Sequence, residues 1–187
     1  MKSIISTFAA AATIATIALA STGAQASDGT ITFTGSVTDT TCSIDAKTGG
    51  NANKDVLLKD VKSSALSSNG ATAGATDASD LTFSLSGCST ETKAVARFEN
   101  GPTIDQTTGY LNNQAPAGGA QNVQVRLLNG RHEPINVVTG LHNDIGGNGV
   151  ALVNGAGDLT YFAEYYATGQ ATPGPVKTSV QYTVDYQ

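Results

Sequence analysis

The sequence predicts an all-β domain, on three observations. Apolar and polar residues alternate with a period of two in several short segments. Turn signals rich in Gly, Asn and Ser separate those segments. No stretch reads as a helix longer than about two turns.

Met1 to Ala26 stands apart from the domain. Lys2 begins a short positive region, and Ile4 to Ala20 is dominated by Ala, Ile and Leu. Thr22-Gly23-Ala24-Gln25-Ala26 then places small residues at the A-x-A positions of a cleavage site. Ser and Thr interrupt the apolar run, which is short for a bilayer span. The segment reads as a secretory signal, residues 1–26. Its removal leaves 161 of the 187 residues, one domain's worth, with 9 basic and 15 acidic side chains. A net charge of −6 argues against a nucleic-acid partner, which calls for a basic stripe.

The segment Gly29 to Asp39 (G-T-I-T-F-T-G-S-V-T-D) is the most regular strand pattern in the chain. Gly29, Ile31, Phe33, Gly35 and Val37 share one face, and Thr30, Thr32, Thr34, Ser36 and Thr38 share the other. Glycine weakens a strand unless another backbone comes close. Two readings stay open on the pattern alone: the first strand of this domain's own sheet, or a strand that fills a slot in another molecule.

Cys42 and Cys88 are the only cysteines, and two cysteines in an exported chain pair. The bridge closes a loop of about 47 residues, worth roughly 4 kcal/mol on the chain-entropy model. A metal site is not expected, because only His132 and His142 could join the thiolates and nothing in the sequence brings them near. Both histidines read as surface residues.

Further along, Asp55 to Val61 reads as a modest strand and Ser63 to Asp80 as a long surface loop. Leu81, Phe83 and Leu85 alternate with Thr82, Ser84 and Ser86 in a half-buried strand that ends at Cys88. Ala94 to Glu99 follows. Val123, Val125 and Leu127 lead to Asn129-Gly130, a hairpin signal, with Glu133 to Val138 as the return strand. Asn143 to Gly157 is rich in glycine, but it carries no G-x-G-x-x-G or G-K-[ST] pattern, so it reads as turns and a hairpin and not as a phosphate loop. No G-x-S-x-G occurs, and no nucleophile or carboxylate accompanies either histidine. No enzyme, cofactor or small-molecule substrate is indicated.

The last segment, Leu159 to Gly169, passes through Pro173-Gly174-Pro175 into a strand in which Val180, Tyr182, Val184 and Tyr186 alternate with Ser179, Gln181, Thr183 and Asp185. Nothing after it covers its edge, and an uncovered apolar edge strand is an aggregation hazard. In this pattern the chain resembles the chaperone–usher pilins, in particular the shaft subunits of type 1-like fimbriae. Gly174 fourteenth from the end and Tyr186 next to last, joined by alternating apolar positions, match that family's chaperone-binding signature. Phe162-Ala163 with Tyr166-Ala167-Thr168-Gly169 is similar to the strand before it. Gly29 to Cys42 is similar to the family's N-terminal extension and first cysteine, and Leu81 to Cys88 to the strand holding the second.

The resemblance implies an incomplete immunoglobulin-like β-sandwich that lacks its last strand. It divides the chain into signal peptide 1–26, donor-strand extension 27–40 and pilin domain 41–187. It implies a periplasmic chaperone, an outer-membrane usher and neighbouring subunits as partners, with export through the periplasm to a cell-surface fimbria. Ile31, Phe33 and Val37 would fill a neighbour's groove, and Gly174, Val180, Tyr182, Val184 and Tyr186 would line this chain's own. The expected function is structural, with a minor adaptor or tip adhesin as the alternative; an extracellular enzyme is a third class, disfavoured by the motifs.

Overall fold

The computed structural model describes residues 42–47, 52–89 and 92–187. All of them lie in one compact unit, Thr38–Gln187. The expected strand at Gly29 to Asp39 and the signal segment lie outside the described residues.

Among the described residues ten strands follow one another. They are β1 (Ser43–Ile44), β2 (Thr72–Ala73), β3 (Thr82–Ser86), β4 (Lys93–Phe98), β5 (Leu111–Asn112), β6 (Val123–Leu128), β7 (Val150–Ala151), β8 (Gly157–Thr160), β9 (Phe162–Ala167) and β10 (Tyr182–Tyr186). Their ladders are antiparallel. They form sheets ordered β1-β3-β8, β10-β4-β7 and β2-β9-β6-β5.

The main apolar core lies between the sheets, and period-2 alternation explains which residues reach it. Phe83 and Leu85 of β3, Ala94, Ala96 and Phe98 of β4, Val125 and Leu127 of β6, Leu159 of β8 and Ala163 of β9 all point into it. Tyr161, between β8 and β9, packs edge-on against Phe83 and Phe98. Its buried hydroxyl accepts the Ala96 N–H at 2.9 Å, and burial pushes its pKa up to about 12. Cys42 and Cys88 are joined, tying the start of β1 to the chain beyond β3.

Four expectations change. Asp55 to Val61 is extended with largely alternating burial, yet it joins no sheet among the described residues. Ser63 to Asp80 is no simple surface loop. Leu66 is buried, Thr72–Ala73 pairs with β9, and Thr76 exchanges two hydrogen bonds with Ala163. Its small residues fit closely against β9, which composition alone cannot distinguish from a loop. Glu133 to Val138 does not return as a full strand: Pro134 has no N–H to give the ladder, and what remains is its bridge to Leu128 with the bonds from Asn129 N to Glu133 O and from Ile135 N to Leu127 O. The glycine-rich stretch includes a short helix, α1 (Ile145–Asn148), where Asp144 accepts the Gly147 N–H, and then the short strand β7.

Candidate strand-binding groove

β10 is the outermost strand of its sheet among the described residues. Its odd-numbered residues direct their main chain toward the body of the domain. Gln181 O accepts from Glu99 N at 2.8 Å, and Gln187 exchanges bonds with Lys93 at 2.9 and 3.0 Å. The chain before β10 keeps this phase. Pro175 O accepts from Ala120 N, Lys177 O from Gln114 N and Ser179 O from the Thr103 hydroxyl. Because successive residues of an extended chain face opposite edges, the main chain of Val176, Thr178, Val180, Tyr182 and Val184 points the other way. No strand among the described residues lies there.

The same even-numbered residues turn their side chains to the core. Val176, Val180, Tyr182, Val184 and Tyr186 are half-buried and pack on the main apolar cluster, whereas Lys177, Ser179, Gln181 and Thr183 are exposed. Tyr182 stacks on Phe83 with ring centres 4.5 Å apart.

Residues 52–61 form the second wall. Ala52 is buried, Lys54, Val56, Leu58 and Val61 are half-buried, and Asn53, Asp55, Leu57 and Lys59 are exposed. Among the described residues this segment makes no backbone ladder. It meets β10 where the Tyr182 hydroxyl donates to Ala52 O at 2.6 Å. At the other end Val61 and Val176 pack on one secondary cluster. Lys54 reaches over the Phe83 ring and pairs with Asp45 at 3.0 Å. Burial pushes the Asp45 carboxyl up, but the Ser84 N–H and the Lys54 ammonium outweigh this and hold it below the usual range. Burial, with Asp45 nearby, raises the Tyr182 phenol.

Gly174 enters the strand at φ +157, and a Cβ there would meet Ala120 N and Gly118 O at about 2.5 Å, so only glycine passes. The geometry thus gathers Gly174, Val180, Tyr182, Val184 and Tyr186 along one chain. Gly29, Ile31, Phe33, Gly35 and Val37 lie outside the described residues. The sequence reading missed the 52–61 wall as part of the site, because exposed Leu57 breaks the polar–apolar alternation. It also passed over Val176 and Thr178. A wide polar hollow beside Asn112 and Gln124 makes a weaker candidate, since those amides already bond to each other and to Thr108.

The architecture is that of solved pilus subunits. The P pilus rod subunit PapA matches with a TM-score of 0.55 at 16% identity, over 79% of this chain and 99% of that one. A type I fimbria protein of Burkholderia pseudomallei matches with a TM-score of 0.52 at 27% identity, over 84% and 97%. The fold is the incomplete immunoglobulin-like sandwich of chaperone–usher pilins. Among curated relatives, the major fimbrial subunit SMF-1 of Stenotrophomonas maltophilia is 41% identical, covering 79% of this chain and 86% of that protein. The F17 fimbrial protein of Escherichia coli is 37% identical over 80% and 82%. The chain belongs to the FimA type-1 fimbrial protein family, whose model matches residues 58–187. It is a structural fimbrial subunit, of a family whose members are not enzymes.

Proposed function

We propose that this subunit polymerises head to tail by lending residues 27–40 to the groove of a neighbouring copy. One observation carries this reading. Two extended segments, 52–61 and 176–186, flank a strip of half-buried apolar side chains, and neither has a strand on its groove side among the described residues. Main-chain groups that lack partners at a sheet edge accept an added strand, and donor-strand complementation of pilins is an established case of this binding mode.

Ile31, Phe33 and Val37 supply the apolar face of the entering strand. Burying three such side chains contributes about 5–9 kcal/mol gross, with a hydrogen-bond ladder in addition. Because giver and receiver sites differ, the contact is head-to-tail and does not close on itself, which generates a filament. Before assembly a periplasmic chaperone fills the groove, and an outer-membrane usher exchanges that strand for the neighbour's. The assembled fimbria is extracellular.

A self-complemented variant tests this. Ser27–Thr38 are deleted, and Asp28–Thr40 are appended after Gln187 through a four-residue turn, so that the strand folds back antiparallel to β10. It is expected to be a soluble monomer without chaperone, with a thermal midpoint well above that of the deleted chain. A tail with its inward and outward faces exchanged should not stabilise. Equal stabilisation by both tails, or by neither, overturns the reading.

A further inference from the structure

Glycine follows asparagine at Asn69-Gly70, Asn100-Gly101, Asn129-Gly130, Asn148-Gly149 and Asn154-Gly155. In such a pair the glycine main-chain nitrogen can attack the asparagine side-chain carbonyl carbon, because no Cβ shields it. In a folded chain the attack needs a glycine N–H free of hydrogen bonds, a side-chain amide free to turn, and access for solvent. These conditions separate the pairs, and we propose that Asn154 is the site of spontaneous deamidation in this subunit.

The other pairs are held. Gly70 N donates to Ala167 O at 2.8 Å, and Gly149 N donates to Ile145 O at 3.1 Å. The Asn148 amide also donates to Asp144 and accepts from Asn129 and Arg131. Asn129 is buried, and its amide donates to Glu133, His142 and Asn148 while accepting the Arg131 and Glu133 N–H groups. The Asn100 amide exchanges bonds of 2.9 and 3.2 Å with Gln106. Asn154 has none of these restraints. It sits at the tip of a hairpin in which Val153 and Ala156 exchange main-chain bonds of 2.8 and 3.1 Å. Here φ is 51° at Asn154 and 71° at Gly155, the paired positive values of a type I′ turn. Such a turn bonds only its outer residues. The Gly155 N–H and the Asn154 amide have no hydrogen-bond partner among the described residues, and Asn154 is exposed.

The Gly155 nitrogen bonds to Cγ of Asn154 as its own proton passes to water, and ammonia leaves carrying a proton in return. Water then opens the cyclic imide at either carbonyl. One opening gives aspartate. The other gives isoaspartate, whose main chain runs through the former side chain and is longer by a carbon. Overall, amide and water become carboxylate and ammonium, with no oxidant or reductant. Either product adds negative charge to a chain that is already acidic. Isoaspartate also lengthens the turn just before Gly155, whose carbonyl accepts the Cys88 N–H at 3.0 Å. Gly155 lies too close to the Cys88 carbonyl to leave room for a Cβ. Ageing at Asn154 therefore marks a subunit by charge and loosens the hairpin that supports the Cys42–Cys88 bridge.

Fimbriae sheared from cells expressing the full chain are kept for weeks in mildly alkaline buffer and sampled by tryptic mapping with fragmentation. Asn154 is expected to convert first, at least roughly fivefold ahead of each other pair, the factor for opening one hydrogen bond worth about 1 kcal/mol. The aged fibres should accept methyl groups from an isoaspartyl methyltransferase. Asn154→Gly, which suits the same positive φ, should remove most of that signal. In reduced, urea-unfolded subunits all of the pairs should convert at similar rates, since only local sequence acts there. Conversion of another pair ahead of Asn154 in fibres, or none at Asn154, overturns the assignment. So does a methyl-acceptor signal that survives Asn154→Gly. An order of rates in fibres that matches the unfolded chain overturns it too, because the fold would then select nothing.

Discussion

The Tyr182 hydroxyl donates to the main-chain carbonyl of Ala52 at 2.6 Å, joining the strand that ends the domain to a segment 130 residues earlier. This bond holds the two walls of the groove at one end. Tyr182 is also stacked on Phe83, whose other neighbours include Tyr161 and the Lys54 ammonium. One side chain therefore couples groove width to the core beneath it.

Tyr182→Phe should keep the stacking and lose the tie. In the self-complemented variant the expected cost is about 1 kcal/mol, the net worth of one hydrogen bond. Urea denaturation measures it. Tyr182→Ala, which also empties the space beside Phe83, should cost several times more; equal losses for the two variants would show that the hydroxyl carries all of the effect.

Gly174→Ala should destabilise by about 1–3 kcal/mol, the usual range for forcing extra volume into a packed site. The methyl would press on the Gly118–Ala120 backbone and disturb the bond from Ala120 N to Pro175 O. Thermal melts of the self-complemented form and periplasmic levels of the full chain should fall together. A wild-type melting profile would contradict this account of why glycine stands there.

Replacing Cys42 and Cys88 together by Ser should cost roughly 4 kcal/mol by freeing the unfolded loop. That loop contains the 52–61 wall, so donor-strand affinity should also drop. Denaturation curves check the first effect, and binding of a peptide spanning residues 28–40 to the chaperone-free subunit checks the second.

Acid should destabilise the domain through Asp45. Its folded pKa lies below the ordinary carboxyl value of 3.8. A depressed carboxyl contributes stability that is fully present above the unfolded pKa and is lost as pH falls through the folded one. Thermal midpoints should therefore decline below about pH 4. Asp45→Asn should lower the midpoint at neutral pH and flatten part of that decline. Asp105, held low by the Thr108 and Thr107 N–H groups, accounts for some of what remains. An unchanged slope in the variant would remove Asp45 from the explanation.

By itself the sequence determined which residues of the strands face inward. The pleat imposes a period of two, so Phe83 and Leu85, or Val180, Tyr182 and Val184, had to share a face wherever their strands went. It also marked out Gly174, whose backbone conformation demands glycine, and a turn at Asn129-Gly130, although the positive φ of that turn falls on His132. Only the tertiary structure decided which edges would be paired. Asp55 to Val61 and Glu133 to Val138 look alike as short strands. Among the described residues the first makes no ladder, and the second keeps only isolated bridges. A ladder needs a partner at the right distance and register, and neither is written in the local alternation. Thr178 shows the same limit from the other side: as a threonine in a strand it draws no notice, and only packing buries its hydroxyl. Leu66 and Thr76 were hidden in a run of small polar residues for the same reason. Burial is a property of what surrounds a residue, and Thr76 takes its surroundings from β9, 87 residues away at Ala163.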